Sequence, residues 1–180
     1  MLVTFTRGVG RRYRVGVARE SDPAAAMHVA PGFDESLPYD LAHFLVEREF
    51  GLQLGIFGQL AAGGDAGTFW CAPAARSAKL AHRAHRLRVA GRGDVGRSEQ
   101  LTAACVAAWE IQAGRRQPGE VWSVRVLHDA AIAAPAQIRH VIDVFNEAAS
   151  DWQALTPGES LHFEWPESLT LRRPRRLRTA

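Results

Sequence analysis

Hydrophobic and polar residues alternate near the start of the chain in the manner of β-strands. Residues 2–6 and 13–18 are rich in β-branched and aromatic side chains. Gly8 and Gly10 lie between these two runs and are suited to a tight turn, so the pattern predicts a β-hairpin. A third short strand, over residues 27–30, is predicted to join it.

Helical spacing replaces this alternation after Pro38. Residues 39–50 predict a first helix that Gly51 stops, and residues 56–62 predict a small helix followed by a tight turn. A basic helix is expected over residues 76–89 and a loop over residues 91–96. Ser98 is then expected to cap a further helix that ends at Gly114.

The last third of the chain carries the clearest helical pattern. A strand is predicted over residues 121–127, and Pro135 opens a helix that Pro157 and Gly158 end. One stripe of this helix must be buried, because its apolar residues recur at i, i+3, i+4 and i+7 spacing. These residues are Ile138, Val141, Ile142, Phe145, Ala149, Trp152 and Leu155.

A final strand completes the predicted elements. Leu161, Phe163 and Trp165 alternate with His162 and Glu164, as in a strand with one face on a core. Strands at both ends of the chain with helices between them predict an α+β fold. We expect a single domain over residues 1–171, with an antiparallel sheet from the N- and C-terminal strands and helices packed on one face. Residues 172–180 are expected to form a basic, flexible tail.

Composition is that of an ordinary globular domain. The 180 residues are 47% hydrophobic, enough for one sizeable core. Cys71 and Cys105 lie in no metal-binding or disulfide pattern, so we expect reduced thiols. Residues 1–12 contain no apolar run of signal-peptide length, and no segment has the length of a membrane span. These features predict a soluble, cytoplasmic protein.

Charge is segregated along the chain although the net charge is only +3. Two basic segments stand out: residues 76–97, which carry seven basic side chains against one acidic one, and residues 172–180, which carry five arginines and no acid. The remainder of the chain has more acidic than basic side chains. Basic segments of this kind are candidates for contact with polyanions.

A polar strip on the first predicted helix is the most suggestive candidate for chemistry. At 100° per residue, Tyr39, Asp40, His43 and Glu47 project within about a 100° sector. An imidazole between two carboxylates can act as a general base, and His43 and Glu47, four residues apart, can both ligate one metal ion. In the simpler interpretation, which we favour, His43 and Glu47 are an ordinary pair on a solvated helix face and Asp40 interacts with the helix dipole.

Three segments carry a resemblance to a known family: residues 37–47, LPYDLAHFLVE; residues 57–69, FGQLAAGGDAGTF; and residues 160–166, SLHFEWP. The chain resembles an uncharacterised family of short bacterial proteins that share an L-P-x-D-L-x-H-F-x-V-E helix segment. The resemblance implies no known activity. It implies that a histidine often stands where this chain has Tyr39, which would give a metal-site-like row with His43 and Glu47. Tyrosine is a poor zinc ligand, so this departure leaves His43 and Glu47 without a third ligand.

The glycine-rich residues 55–67 invite comparison with phosphate-binding loops. Gly58 and Gly63 have the spacing of a P-loop, but no Lys-Ser or Lys-Thr pair follows. Glycines that allow close packing and a turn are the favoured interpretation.

The basic segments supply the preferred function. Arg76, Lys79, Arg83 and Arg86 align along one edge of the basic helix, and Arg172, Arg173, Arg175 and Arg176 extend the positive charge in the tail. We therefore expect a non-catalytic binding or regulatory module that meets an acidic protein or nucleic acid. The alternative is a small enzyme that uses Asp40, His43 and Glu47, with or without the help of a metal ion. The sequence identifies neither a cofactor nor an oligomeric state.

Overall fold

Four antiparallel strands form one sheet in the order β3-β2-β1-β4 in the computed structural model. Their bounds are Leu2–Arg7 for β1, Tyr13–Arg19 for β2, Asp22–Val29 for β3 and Ser160–Glu164 for β4. The structure describes residues 1–19, 22–29, 36–66, 78–117 and 133–171. β1 pairs with β2 on one side and with β4 on the other. The N-terminal strand β1 therefore pairs with β4 from the C-terminal part of the chain, as the sequence predicts.

The sheet has one buried face because alternate residues of its strands point the same way. Val3 and Phe5 of β1 and Tyr13, Val15 and Val17 of β2 are buried. On the opposite face, the Thr6 and Ser160 hydroxyls hydrogen-bond across β1 and β4 at 2.9 Å. The helices that the structure describes pack on the apolar face.

Within the described residues, five α-helices follow the β1-β2-β3 meander. Their bounds are Tyr39–Glu49 for α1, Ile56–Ala61 for α2, Ala78–Ala90 for α3, Arg92–Gln112 for α4 and Pro135–Ala154 for α5, and a 3-10 turn spans Glu167–Leu169. α1 lies at the centre, where it contacts α2, α4 and α5. The Phe44 ring of α1 contacts the rings of Phe57, Phe163 and Trp165 at centroid distances of 5.1, 5.5 and 5.8 Å.

The expected loop over residues 91–96 is wrong. The Gly91 N–H donates to the Leu87 carbonyl at 2.8 Å, and the Val95 N–H donates to the Gly91 carbonyl at 2.9 Å. α4 thus begins at Arg92, and only Gly91 separates it from the end of α3. Three glycines in six residues lower helix propensity, but the buried face of α4 packs on α1, and this tertiary contact outweighs the local preference.

Most other predicted elements are confirmed. α1 ends before Gly51, which has φ +67°, and α5 begins at Pro135. β3 spans Asp22–Val29, longer than the predicted residues 27–30. The predicted strand over residues 121–127, Cys71, Arg76 and residues 172–180 lie outside the described residues. The single α+β fold is confirmed, and none of the described helices is long and apolar enough to cross a membrane.

Candidate functional site

The polar strip of α1 is buried in the protein at its C-terminal end. Glu47 has no exposed surface and the His43 residue is 3% exposed, whereas Tyr39 is 40% exposed. Asp40 is half-buried. The favoured interpretation of His43 and Glu47 as a solvated pair is therefore wrong, because Glu47 faces α2 and α4 and His43 faces α4.

Glu47 holds the N-terminus of α2. One carboxylate oxygen, Oε1, accepts the Ile56 N–H at 2.7 Å, and the other, Oε2, accepts the Phe57 N–H at 2.8 Å. The first N–H groups of a helix have no partner within the helix, so this carboxylate does for α2 what a capping side chain does elsewhere. Gly55 makes room for it, since a Cβ there would lie 2.3 Å from the Glu47 carboxyl carbon.

Burial changes the proton affinity of Glu47. It raises the pKa of this carboxyl from 4.5 to about 7, although the Phe57 and Ile56 N–H groups, the Ser98 hydroxyl and nearby His43 oppose the shift. A carboxylate removed from water is disfavoured relative to the neutral acid. Glu47 therefore takes up a proton within the physiological pH range.

Ser98 and Thr102 of α4 join His43 to this carboxylate. The Ser98 hydroxyl donates to Glu47 Oε1 at 2.9 Å, so its oxygen accepts from His43 Nδ1, also at 2.9 Å. Thr102 Oγ1 lies 3.2 Å from the same ring nitrogen. The result is a buried chain of hydrogen bonds from α1 to α4.

The outer side of His43 meets Glu99. His43 Nε2 lies 3.5 Å from Glu99 Oε2, and the Glu99 side chain is 55% exposed. The hydrogen bond and the charge of His43 lower the pKa of Glu99, and partial burial opposes them. The Tyr39 ring packs edge-on against the His43 ring at 4.8 Å. Partial burial, followed by the charges of Glu99 and Asp40, raises the pKa of Tyr39.

Asp40 belongs to a different contact. Its Oδ2 accepts a hydrogen bond from the Tyr13 hydroxyl at 2.7 Å. Asp40 thus fastens α1 to β2, and the structure separates it from the network around His43 and Glu47. The three candidate catalytic residues do not converge on one space.

The geometry around His43 and Glu47 does not support a metal site there. Within the described ranges, no group of three His, Cys, Asp or Glu side chains is placed to hold an ion. Glu47 uses both carboxylate oxygens for protein donors, and its neighbours Ser98 and Thr102 are fully buried. The sequence analysis missed both hydroxyls as partners: Ser98 was expected to cap a helix, and this is wrong because α4 begins at Arg92 and contains Ser98.

The basic face of α3 is the second candidate, and all of it except half-buried Arg83 is exposed. We define this face as Lys79, His82, Arg83 and Arg86, which project within about a 100° sector on the side away from buried Ala84. α3 contains no acidic residue. Lys79 and Arg86 have no ion-pair partner among the described residues. Arg88, on another side of the helix, pairs with Asp65.

Comparison with known proteins returns no relative: no protein family, curated protein or solved structure matches this chain. The resemblance to the family of short bacterial proteins therefore stays a prediction.

Proposed function

We propose that this protein binds the phosphate backbone of nucleic acid through the basic face of α3. The single observation that carries the proposal is that Lys79 and Arg86 are exposed on a helix without acidic residues and have no ion-pair partner among the described residues. Cationic side chains that have no ion-pair partner within the protein are available to bind an external anion. Arg76 and the arginines at 172, 173, 175 and 176 extend the same positive charge in the sequence.

The spacing of these cations suits a regular polyanion. Lys79 and Arg86 are seven residues apart, which is about 10 Å along a helix axis. Phosphates on one strand of duplex DNA follow each other at about 3.4 Å along its axis, so the face spans about three of them. α3 carries no Phe, Tyr or Trp for base stacking. We therefore expect binding that depends on charge and little on sequence.

The enzyme alternative has less support. Asp40 is engaged by Tyr13, and Glu47 by two backbone N–H groups and Ser98. His43 is 3% exposed, which leaves a substrate little access to its ring. A network of satisfied hydrogen bonds between α1, α2 and α4 is better explained as support for the fold.

The test is fluorescence anisotropy with a random-sequence DNA duplex and a random-sequence RNA strand, at two salt concentrations. We expect the double variant Lys79→Ala, Arg86→Ala to bind more weakly. The slope of log affinity against log salt should fall by about 2 for the duplex, because each lost phosphate contact removes about one released counterion. A chain ending at residue 171 measures the contribution of the arginine-rich segment separately.

The matched control removes two positive charges elsewhere. Arg14 on β2 and Arg139 on α5 are exposed, so the variant Arg14→Ala, Arg139→Ala has the same net charge as the test variant. It should keep nearly the parental affinity. If neither nucleic acid binds at low salt, the proposal is wrong, and the acidic-protein partner becomes the interpretation to test. Equal losses in both double variants would also contradict a specific role for α3.

A further inference from the structure

A cleft of about 410 Å³ lies between α2 and the junction of α3 with α4. Gln59 of α2 lines it on one side, and Ala66, Val89 and Val95 give it apolar walls. Its volume falls in the usual range for small-molecule pockets. The cleft lies at the C-terminal end of α3, and Lys79 is ten residues before Val89, about 15 Å away along the helix axis.

Gln59 is an unusual residue to find in this wall. It is 2% exposed, and its side-chain oxygen Oε1 is buried and has no hydrogen-bond donor among the described residues. The orientation of the amide is fixed, since Nε2 donates to the Leu54 carbonyl at 3.0 Å. The group without a partner is therefore an acceptor. Buried acceptors are almost always satisfied in proteins, so this one marks a place for an N–H or O–H donor.

The charge around the cleft is positive. His85 and Arg92 line it and are exposed, and neither has an ion-pair partner among the residues that the structure describes. The third basic residue, Arg88, is neutralised by Asp65. A ligand with an anionic group would meet the Arg92 guanidinium and the His85 ring without displacing an existing partner.

We infer that this cleft binds a small organic anion whose apolar body carries an N–H donor. The donor satisfies Gln59 Oε1, the body packs between Ala66, Val89 and Val95, and the carboxylate or phosphate group pairs with Arg92 and His85. Gly91 leaves room for the Gln59 amide, because a Cβ at residue 91 would lie 2.6 Å from Nε2. This inference does not depend on the proposed nucleic-acid binding.

Three related probes separate the two recognition elements. Indole-3-acetate has the anion and the N–H, benzothiophene-3-acetate keeps the anion but lacks the N–H, and indole-3-acetamide keeps the N–H but is neutral. Binding is measured by protein NMR titration of the full chain, followed at the amides of residues 59, 66, 89 and 95. We expect indole-3-acetate to bind at least about tenfold more tightly than either of the other two.

Variants locate the binding. Arg92→Ala should weaken indole-3-acetate binding about tenfold and leave the weak binding of indole-3-acetamide unchanged. Lys79→Ala, which removes a cation from the basic face, should change neither. Gln59→Met tests the acceptor. This substitution also removes the hydrogen bond to the Leu54 carbonyl, so Arg92→Ala is the test if Gln59→Met does not fold.

The possible outcomes are decisive. If no probe binds at millimolar concentration, or if benzothiophene-3-acetate binds as well as indole-3-acetate, the inference is overturned. Equal effects of Arg92→Ala and Lys79→Ala would show attraction by net charge rather than a site. Loss of nucleic-acid binding in the α3 double variant bears on the proposed function alone.

Discussion

Glu47 is the residue on which three helices depend. Its side chain leaves α1, accepts N–H groups at the start of α2 and the hydroxyl of Ser98 on α4. A buried carboxylate is costly unless its oxygens are hydrogen-bonded, and here both are. The same carboxylate explains why Gly55 has no side chain and why Ser98 is a polar residue inside an apolar helix face.

The raised pKa of Glu47 predicts how stability changes with pH. The folded protein holds this proton more tightly than the unfolded chain, because the pKa is about 7 in the fold against an ordinary 4.5. The resulting stabilisation is complete below pH 4.5 and is lost as the pH rises through 7. The change is on the order of 3 kcal/mol.

Glu47→Gln should remove this pH dependence. Chemical unfolding of the parent and the variant between pH 4.5 and 8.5 measures it, and the gap between their unfolding free energies should change in the variant's favour as pH rises. Glu147→Gln, at an exposed position on α5, removes the same charge and should leave the parental pH profile intact. If the unfolding free energies of the parent and of Glu47→Gln change with pH in parallel, Glu47 is not the source of the pH dependence.

At the level of elements, the junction of α3 and α4 depends on close backbone approach. A Cβ on Gly91 would lie 2.5 Å from the Leu54 carbonyl oxygen and 2.6 Å from Gln59 Nε2. The Leu54 N–H is itself fixed by Asp94 of α4 at 2.8 Å. Neither neighbour can move away freely, so α2 and α4 meet here only because residue 91 has no side chain.

Gly91→Ala should therefore destabilise the protein, by roughly 1–3 kcal/mol as for other overpacked sites. Gly96→Ala is the matched control, because residue 96 lies inside α4 and a Cβ there has nothing within 4 Å. It should stabilise the protein by up to about 1 kcal/mol through helix propensity. Denaturant melts of both variants decide the point, and a neutral Gly91→Ala would show that the contact is not tight.

Elements with a strong local pattern could be predicted from the sequence, and this junction could not. The stripe of α5 and the alternation in β4 determine those elements by themselves. The glycines at 91, 93 and 96 suggest a loop, and only the packing of α4 on α1 makes them helical. The site follows the same division: the strip on α1 is visible in the sequence, but the partners of Glu47 and His43 lie up to 59 residues away.

At the scale of the whole molecule, helices differ in how firmly they belong to the core. α1 buries seven consecutive residues, from Leu41 to Glu47. In α3, Ala84 alone is buried. Elements with few buried apolar contacts open at lower free energy than the core. α3 should therefore open locally while α1 opens only when the molecule unfolds.

Hydrogen exchange measures this difference directly. Amides of α3 should exchange with a lower opening free energy than amides of α1. Phe163→Ala, which removes a ring 5.5 Å from Phe44, should lower the protection of α1 and leave that of α3 nearly unchanged. Equal protection in the two helices, or an equal response to this substitution, would mean that α3 is part of the same cooperative unit.

The pairing of β1 with β4 also determines the order in which the sheet can form during translation. Leu2 lies opposite Glu164 in the register, so the second strand-partner of β1 is translated last among the four strands. Until it emerges from the ribosome, one edge of β1 has no partner and the ring of Phe5 lacks its contact with Phe163. Unpaired apolar edges attract other chains, and pairings this distant in sequence form slowly. The nascent chain is thus most prone to aggregation just before β4 emerges and pairs with β1.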